Sequence, residues 1–473
     1  MTPSPVPSHA SAPARDGLPY PQRAWAMLVI ILGIAISVLD GTIVNLALPD
    51  IARELRASAS QAIWIVNTYQ IVTLVMLLPL ATLGDRFGYR RVYLVGMTVF
   101  ATAACMSFMA RSLETLIAAR ALQGLGAAGL FSVNTALVRL TYPAAHLGRG
   151  VAINSLVVAT ASVAGPSVAA AILSIASWPW LFAVDVPFGL VTLALAARYL
   201  PHNIVTLDRL NFSVLDVLLN GAMFALLFTG ANVLGVHTGG AAQPSIGWLL
   251  LLAGMAVGVV HVRRQRKRQT PLLPVDLLRI PVFALSMGTS VSSFAAQMLA
   301  YIALPFLFLD SYGRSHGVAG LLMTAWPLAI VVIAPIAGRL IGRIADGLLG
   351  GAGLALMATG LLLLALLPEQ PSNANIVWRM ALCGLGFGLF QSPNNHTIVT
   401  TPPPHRSGAA SGMLSAGRLT GQTLGAVMLA GIFSLWNPHD HKGPTIALLL
   451  AAACAALGAV LSTLRVRQKS GKL

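Results

Sequence analysis

The feature that most constrains this chain is a series of apolar runs, many of them longer than the roughly 18 residues needed to cross a bilayer. No water satisfies backbone N–H and C=O groups inside lipid, so each run must close its own hydrogen bonds as an α-helix. A membrane barrel would need alternating polarity over about ten residues per strand, and no such alternation is present. A soluble protein is excluded by composition. Of 473 residues, 56% are hydrophobic and only 9% charged, against about 25% charged in a typical soluble domain.

The runs number about fourteen. The first six lie near 25–48, 62–81, 92–110, 115–139, 150–174 and 179–199, and two more near 212–234 and 245–262. The last six lie near 282–309, 317–337, 350–367, 376–399, 408–435 and 444–464. Residues 1–23 are rich in Pro, Ser and Ala without the apolar stretch of a signal peptide, and they read as a disordered cytoplasmic tail. The resulting layout is a six-helix bundle over 24–200, two inserted helices with a basic loop over 201–281, a second bundle over 282–465, and a short tail over 466–473.

The net charge of +16 would suit a nucleic-acid partner if it were clustered on one soluble face. Instead the basic residues fall in short segments between runs. About 22 lie on the side of the termini, including Arg263, Arg264, Arg266, Lys267 and Arg268. Five lie on the other side: Arg53, Arg56, Arg111, Arg314 and Lys442. This asymmetry places both ends in the cytoplasm and excludes nucleic acid as a partner. Cys105, Cys383 and Cys454 all sit inside apolar runs with no ligand spacing, so neither a disulfide framework nor a metal site is expected.

The chain also repeats itself. Residues 120–131 read RALQGLGAAGLF and residues 379–390 read RMALCGLGFGLF. Beyond each block come Thr141, Pro143, His146, Arg149 and Gly150, matched by Thr401, Pro404, His405, Arg406 and Gly408 at an offset close to 260. Span 4 therefore corresponds to span 12, and spans 1–6 to spans 9–14. Parallel halves of this kind belong to transporters, with the substrate site between them near the middle of the membrane.

The loop after span 2 carries Gly84, Asp85, Arg86, Gly88, Arg90 and Arg91. It resembles the loop motif of the major facilitator superfamily, with Ala81 in place of the first glycine. Gly88 permits a tight turn, and Asp85 can accept from helix N-terminal amides or pair with an arginine across a cytoplasmic gate. The counterpart in the second half, Gly338, Arg339, Leu340, Gly342 and Arg343, has glycine where the aspartate would stand. Span 1 carries LDGTIVNLALP over 39–49, similar to the signature of the fourteen-helix drug:proton antiporters. Trp64, Tyr69, RALQGLGAA in span 4, WPWLFAVDVPFG at 178–189 and PLLPVDLL at 271–278 extend that resemblance over most of the chain. Three features depart from it. Asp185 stands where the family usually has Asn, Pro179 where it has Arg, and Ser167, Ala169 and Ala170 follow Gly165 and Pro166 where glycines are common.

Asp40 is the principal candidate for proton coupling. An acid within a membrane helix costs at least about 2.5 kcal/mol on insertion scales and persists when function or pairing offsets it. Counted at 1.5 Å per residue, Asp40 lies roughly 12 Å and Arg120 roughly 8 Å from the outer ends of their spans, close enough to meet. Asp185 and Asp310 count as near the headgroups. Arg418, mid-membrane in span 13, must face a cavity or a partner, with an anionic substrate or a backbone carbonyl both open. Asn67, Gln123, Asn134, Gln297, Gln391, Asn394, His396 and Arg418 are candidates for a substrate cavity, with interhelical hydrogen bonding the alternative for each. Gly165 with Pro166, and Gly417, Gly421 and Gly425, read as helix-packing positions.

No phosphate loop, soluble domain or nucleophile–base constellation is present in the sequence, so no enzyme activity and no cofactor are expected, and the proton gradient is the energy source. The resemblance implies export of small lipophilic or amphipathic molecules, antibiotics among them, across a bacterial inner membrane by alternating access. It allows a periplasmic adaptor as partner; otherwise the chain reads as a monomer in the bilayer. Proton-driven uptake of a metabolite on the same fold, and a sensor that transports nothing, are the other readings.

Overall fold

The computed structural model describes residues 17–143, 146–202, 213–235, 244–266, 274–402, 407–436 and 441–470. Within them the chain is α-helical. The N-terminal half holds α1 (Gln22–Glu54), α2 (Ala59–Phe87), α3 (Tyr89–Met109), α4 (Leu113–Thr141), α5 (Leu147–Leu173), α6 (Pro179–Ala183) and α7 (Asp185–Tyr199). An inserted pair follows, α8 (Val214–Gly235) and α9 (Pro244–Gln265). The C-terminal half holds α10 (Pro281–Phe306), a π-helical turn (Leu307–Ser311), α11 (His316–Leu340), α12 (Asp346–Ala365), α13 (Asn373–Thr400), α14 (Ser407–Leu435) and α15 (Lys442–Ser470).

Eleven spans among the described residues are long and apolar enough to cross a membrane, α6 and α7 together making one of them. The 27-residue α5, 28-residue α13 and 29-residue α14 complete the fourteen expected. The chain is thus a multi-pass membrane protein of two six-helix bundles joined by an extra pair.

The internal repeat is visible in the geometry. Span 4 packs its glycines on spans 2 and 3, with Gly124 against Tyr69 and Gly126 against Phe100. Span 12 does the same on spans 10 and 11, with Gly384 against Trp326 and Gly386 against Met357. Ser112 caps α4 by accepting from Thr115 N–H, and Ser372, at an offset of 260, caps α13 by accepting from Asn375 N–H. Such caps satisfy helix N–H groups that have no intrahelical acceptor.

Three boundaries differ from expectation. Helix α1 continues past Pro49 to Glu54; proline loses one ladder bond, but packed neighbours tolerate the break in a bundle. Helix α15 runs to Ser470, beyond the apolar run that ends near 464. Of the N-terminal tail, residues 1–16 lie outside the described residues. Leu18 N–H donates to Thr141 O, so the chain meets the end of α4 before α1 begins, and in the first turn of α1 the Arg23 guanidinium lies over the Tyr142 ring.

The two halves are joined unevenly. On the face away from the termini, one continuous core runs across both, from Ile43–Ile51 of α1 and Ala169 of α5 to Phe294–Phe308 and Ala319–Trp326. There Asp50 of α1 pairs with His316 of α11, and the Ser167 and Thr324 hydroxyls bond across α5 and α11. Toward the face of the termini each half also has a core of its own, Met27–Leu200 in one and Leu277–Met413 in the other, while Ile71, Leu74 and Leu77 of α2 pack across the halves on Ala416, Leu419 and Val427 of α14.

Candidate functional site

Gly124 explains how the polar cluster assembles. A Cβ there would lie 2.5 Å from Tyr69 O, so only glycine lets α4 approach α2 this closely. That approach carries Arg120, one turn earlier on α4, over the Tyr69 ring at 4.3 Å and toward α1. Arg120 Nη1 donates to Asp40 Oδ1 at 2.7 Å and Oδ2 at 2.8 Å. It also donates to Gln123 Oε1 at 2.8 Å, while Gln123 Nε2 donates to Asp40 Oδ1 at 3.0 Å. Tyr69 OH donates to Ser37 O at 2.9 Å and so fixes the ring beneath the guanidinium. Asp40, Arg120 and Gln123 are all buried. Gln123, a cavity candidate on sequence, belongs to this cluster.

Asp185 also belongs to it, which corrects its expected place near the headgroups. The backbone stays helical through Val184, at φ −63° and ψ −33°, and Asp185, six residues into the span Pro179–Tyr199, has 2% exposure. Its Oδ2 accepts from Gln123 Nε2 at 3.4 Å, and its carboxyl lies within hydrogen-bonding reach of Asp40. Six residues into its span at 1.5 Å each, Asp185 is about 9 Å deep, level with Arg120, and so within reach of the same cluster. The cluster therefore holds two carboxyls and one guanidinium. Arg120 balances one negative charge; the second, out of reach of water, must be met by a proton or another cation.

Beneath Tyr69 lies the central cavity. Two adjoining hollows share Gly41, Thr42, Arg418 and Gln422. The first also meets Ser37, Tyr69, Gln70 and Ser415, and the second Gln297, Tyr301, Gln391, Phe294 and Phe387. Of the cavity candidates, Gln297, Gln391 and Arg418 are in place. The others are not. Asn67 and Asn134 are buried in α2 and α4 and line neither hollow. Asn394 donates to Ser290 Oγ at 2.8 Å and accepts from Arg465 Nη1 at 2.8 Å, inside the C-terminal half. His396 Nδ1 meets Asp346 Oδ2 at 2.9 Å near the start of α12. At 100° per residue, a polar run over one and a half turns points to several sides, and only Gln391 of this run faces the cavity.

At the loop after α2, Gly88 ends α2 and begins α3 with φ 103° and ψ 131°, a backbone state that side chains resist. Asp85 accepts from Tyr89 OH within the same loop, not from the other half. Arg90 reaches back to His202 and Ala197 O at the end of α7, Arg86 lies over the Phe87 ring, and Arg91 is exposed. Asp85 is thus engaged within its own segment, while the halves meet nearby through Leu74 and Leu77 of α2 and Ala416 and Leu419 of α14. Among the packing positions, a side chain at Gly165 would strike Thr42 of α1, and Pro166 is buried beside it. Gly417, Gly421 and Gly425 face Met287, Val291 and Ala295 of α10, a contact within one half and not a sliding seam between halves.

Two features went unread in the sequence. The Asp50–His316 bridge joins residues 266 apart, with no motif to signal it. Arg465 is buried near the end of α15, bonded to Ser286 and Asn394; on hydropathy alone it reads as one of the tail's basic residues.

The family model described as Major Facilitator Superfamily matches residues 30–426 and 285–472. The chain is 50% identical over 456 residues to "Uncharacterized transporter YebQ" of Escherichia coli (strain K12), covering 96% of this chain and 98% of that one. It is 31% identical over 433 residues to "Multidrug efflux pump LfrA" of Mycolicibacterium smegmatis, covering 90% and 84%. Among solved structures, the D-xylose-proton symporter superposes with a TM-score of 0.66 at 15% identity, over 93% of this chain and 97% of that one, a likeness of fold alone.

Proposed function

This chain belongs to the Major Facilitator Superfamily, and on that footing we propose that it is a proton-coupled antiporter that exports small amphipathic molecules by alternating access. The inserted pair α8–α9 and the motifs around Asp40 and Arg120 favour the fourteen-helix drug:proton antiporters as its group. A multidrug pump among the relatives favours export. The basic residues on the face of the termini favour an inner-membrane orientation with both ends in the cytoplasm. In that orientation the shared core and the Asp50–His316 pair lie on the periplasmic side and would close it.

The observation that carries the reading is the buried excess of one carboxyl over one guanidinium at Asp40, Asp185 and Arg120. A proton entering from outside completes the charge balance, and releasing it inward restores the deficit. Tyr69 touches both sides of the exchange, stacking on Arg120 and lining the cavity. Substrate pressing on the ring and a proton loosening Arg120 therefore compete through one side chain. Each charge moved through 100 mV supplies about 2.3 kcal/mol, enough for a substantial substrate gradient without nucleotide.

The test is proton flux in inside-out vesicles carrying a preformed pH gradient, with lipophilic dyes and neutral antibiotics added in turn. A transported compound collapses the gradient with the unmutated protein and not with Asp40→Asn. Equal flux from Asp40→Asn would remove Asp40 from the mechanism.

A further inference from the structure

We propose that the central cavity selects amphipathic anions, and that Arg418 is the group that meets their negative charge. This rests on the cavity being the substrate site and adds a substrate class to it. Arg418 stands on the wall shared by the two hollows and is the one charged side chain lining either of them among the described residues; no Asp or Glu joins it. It forms no hydrogen bond or ion pair among the described residues, and its Nε is buried without an acceptor. Its one ring contact is Phe294, 5.8 Å from the guanidinium carbon.

The other buried arginines show that this is not how the fold treats a structural one. Arg120 has Asp40, Gln123 and the Ile65 carbonyl, and Arg465 has Ser286, Asn394 and Ser462. Arg90, Arg314 and Arg379 also bury an Nε without an acceptor, but each is bonded through a terminal nitrogen. Arg418 has no such bond among the described residues and points where a ligand would sit. Asp40, an acid of the nearby cluster, is already bound to Arg120 behind the Tyr69 ring.

The remaining walls fit the same class. Gln70, Gln297, Gln391 and Gln422 offer uncharged donors and acceptors, and Phe294 and Phe387 offer faces for a flat apolar body. A planar guanidinium binds a carboxylate or sulfonate through two parallel hydrogen bonds. A lipophilic cation would meet a like charge with no carboxylate to offset it.

The experiment uses the full chain in nanodiscs and three fluorescent probes. Anilinonaphthalene sulfonate is the anion, N-phenylnaphthylamine is the same ring system without the sulfonate, and ethidium is the cation. With empty nanodiscs subtracted, the unmutated protein binds the sulfonate more tightly than the other two. Arg418→Gln weakens the sulfonate by about tenfold or more and leaves the neutral probe unchanged, and Arg418→Lys keeps most of the sulfonate affinity. A melting curve like that of the unmutated protein certifies the Gln variant as folded. No binding of the sulfonate, an equal loss for sulfonate and neutral probe in Arg418→Gln, or tighter binding of ethidium overturns the proposal. Flux separates the two readings. Arg418-dependent sulfonate binding without pH-driven uptake into inside-out vesicles refutes export and leaves the anion site standing. PH-driven uptake of ethidium but not of the sulfonate refutes the anion site and leaves export standing.

Discussion

Removing the carboxyls of the buried cluster singly and together should reveal that one substitutes for the other. Breaking a buried ion pair ordinarily costs about 3–5 kcal/mol, because the abandoned partner stays charged out of water. In Asp40→Asn, Arg120 loses the carboxylate it meets at 2.7 and 2.8 Å. Asp185, held through Gln123 at 3.4 Å, remains as an anion in the same buried space. The cost should fall to about 1–2 kcal/mol. In Asp185→Asn the main pair is untouched and the amide oxygen still accepts from Gln123, so the cost should be about 1 kcal/mol or less. In the double variant Arg120 keeps only Gln123, the Ile65 carbonyl and the faces of Tyr69 and Phe182. There the full cost of about 3–5 kcal/mol returns. The double-mutant cycle should therefore show about 1–2 kcal/mol of loss beyond the sum of the singles. Equilibrium unfolding in mixed detergent micelles reads all four proteins. Additivity within about 0.5 kcal/mol would mean that Asp185 does not share the charge of Arg120.

Two further expectations follow from the packing. Bridging Asp50→Cys and His316→Cys with a bifunctional, reducible thiol reagent should hold the far face shut and abolish transport, with reduction restoring it; transport that continues while bridged would show that this face need not open. Gly421→Ala would place a methyl 2.5 Å from Val291 O, and the shift it forces should cost about 1–3 kcal/mol in thermal unfolding; an unchanged melting temperature would refute the close approach of α14 to α10.

The fold was legible because lipid leaves so few options. Long apolar runs can only be helices there, and the matched glycines of spans 4 and 12 announced the two-fold repeat before any contact was seen. Asp40 and Arg120 were legible from depth alone, since two charged groups at similar depth in neighbouring spans have strong reason to meet. Depth failed at Asp185 because nearness to the end of its span is not nearness to the headgroups: six residues in is about 9 Å deep, level with Arg120. Azimuth failed at Asn394 and His396, because hydropathy around an almost wholly apolar helix does not say which side faces the cavity. Their partners, Arg465 and Asp346, come from distant parts of the chain.

The placement of charge suits the anion antiport proposed above. If the coupling acid lined the cavity, it would pair with Arg418 and neutralise both functions at once. Here the excess acid lies in the N-terminal half and the free cation in the C-terminal half, with the Tyr69 ring standing between the acid cluster and the cavity. No comparable pair exists at the symmetry-related position. Arg379, the counterpart of Arg120, lies over Trp378 and donates to Asn375 O, and Ala300 stands where an offset of 260 would repeat Asp40. The repeat therefore supplies the architecture to both halves, while the charged groups are divided between them. On the proposed function that division would let proton and substrate act on one gate without cancelling each other. It also makes a cavity cation without a partner compatible with a stable fold, because the polar walls and the substrate itself complete it.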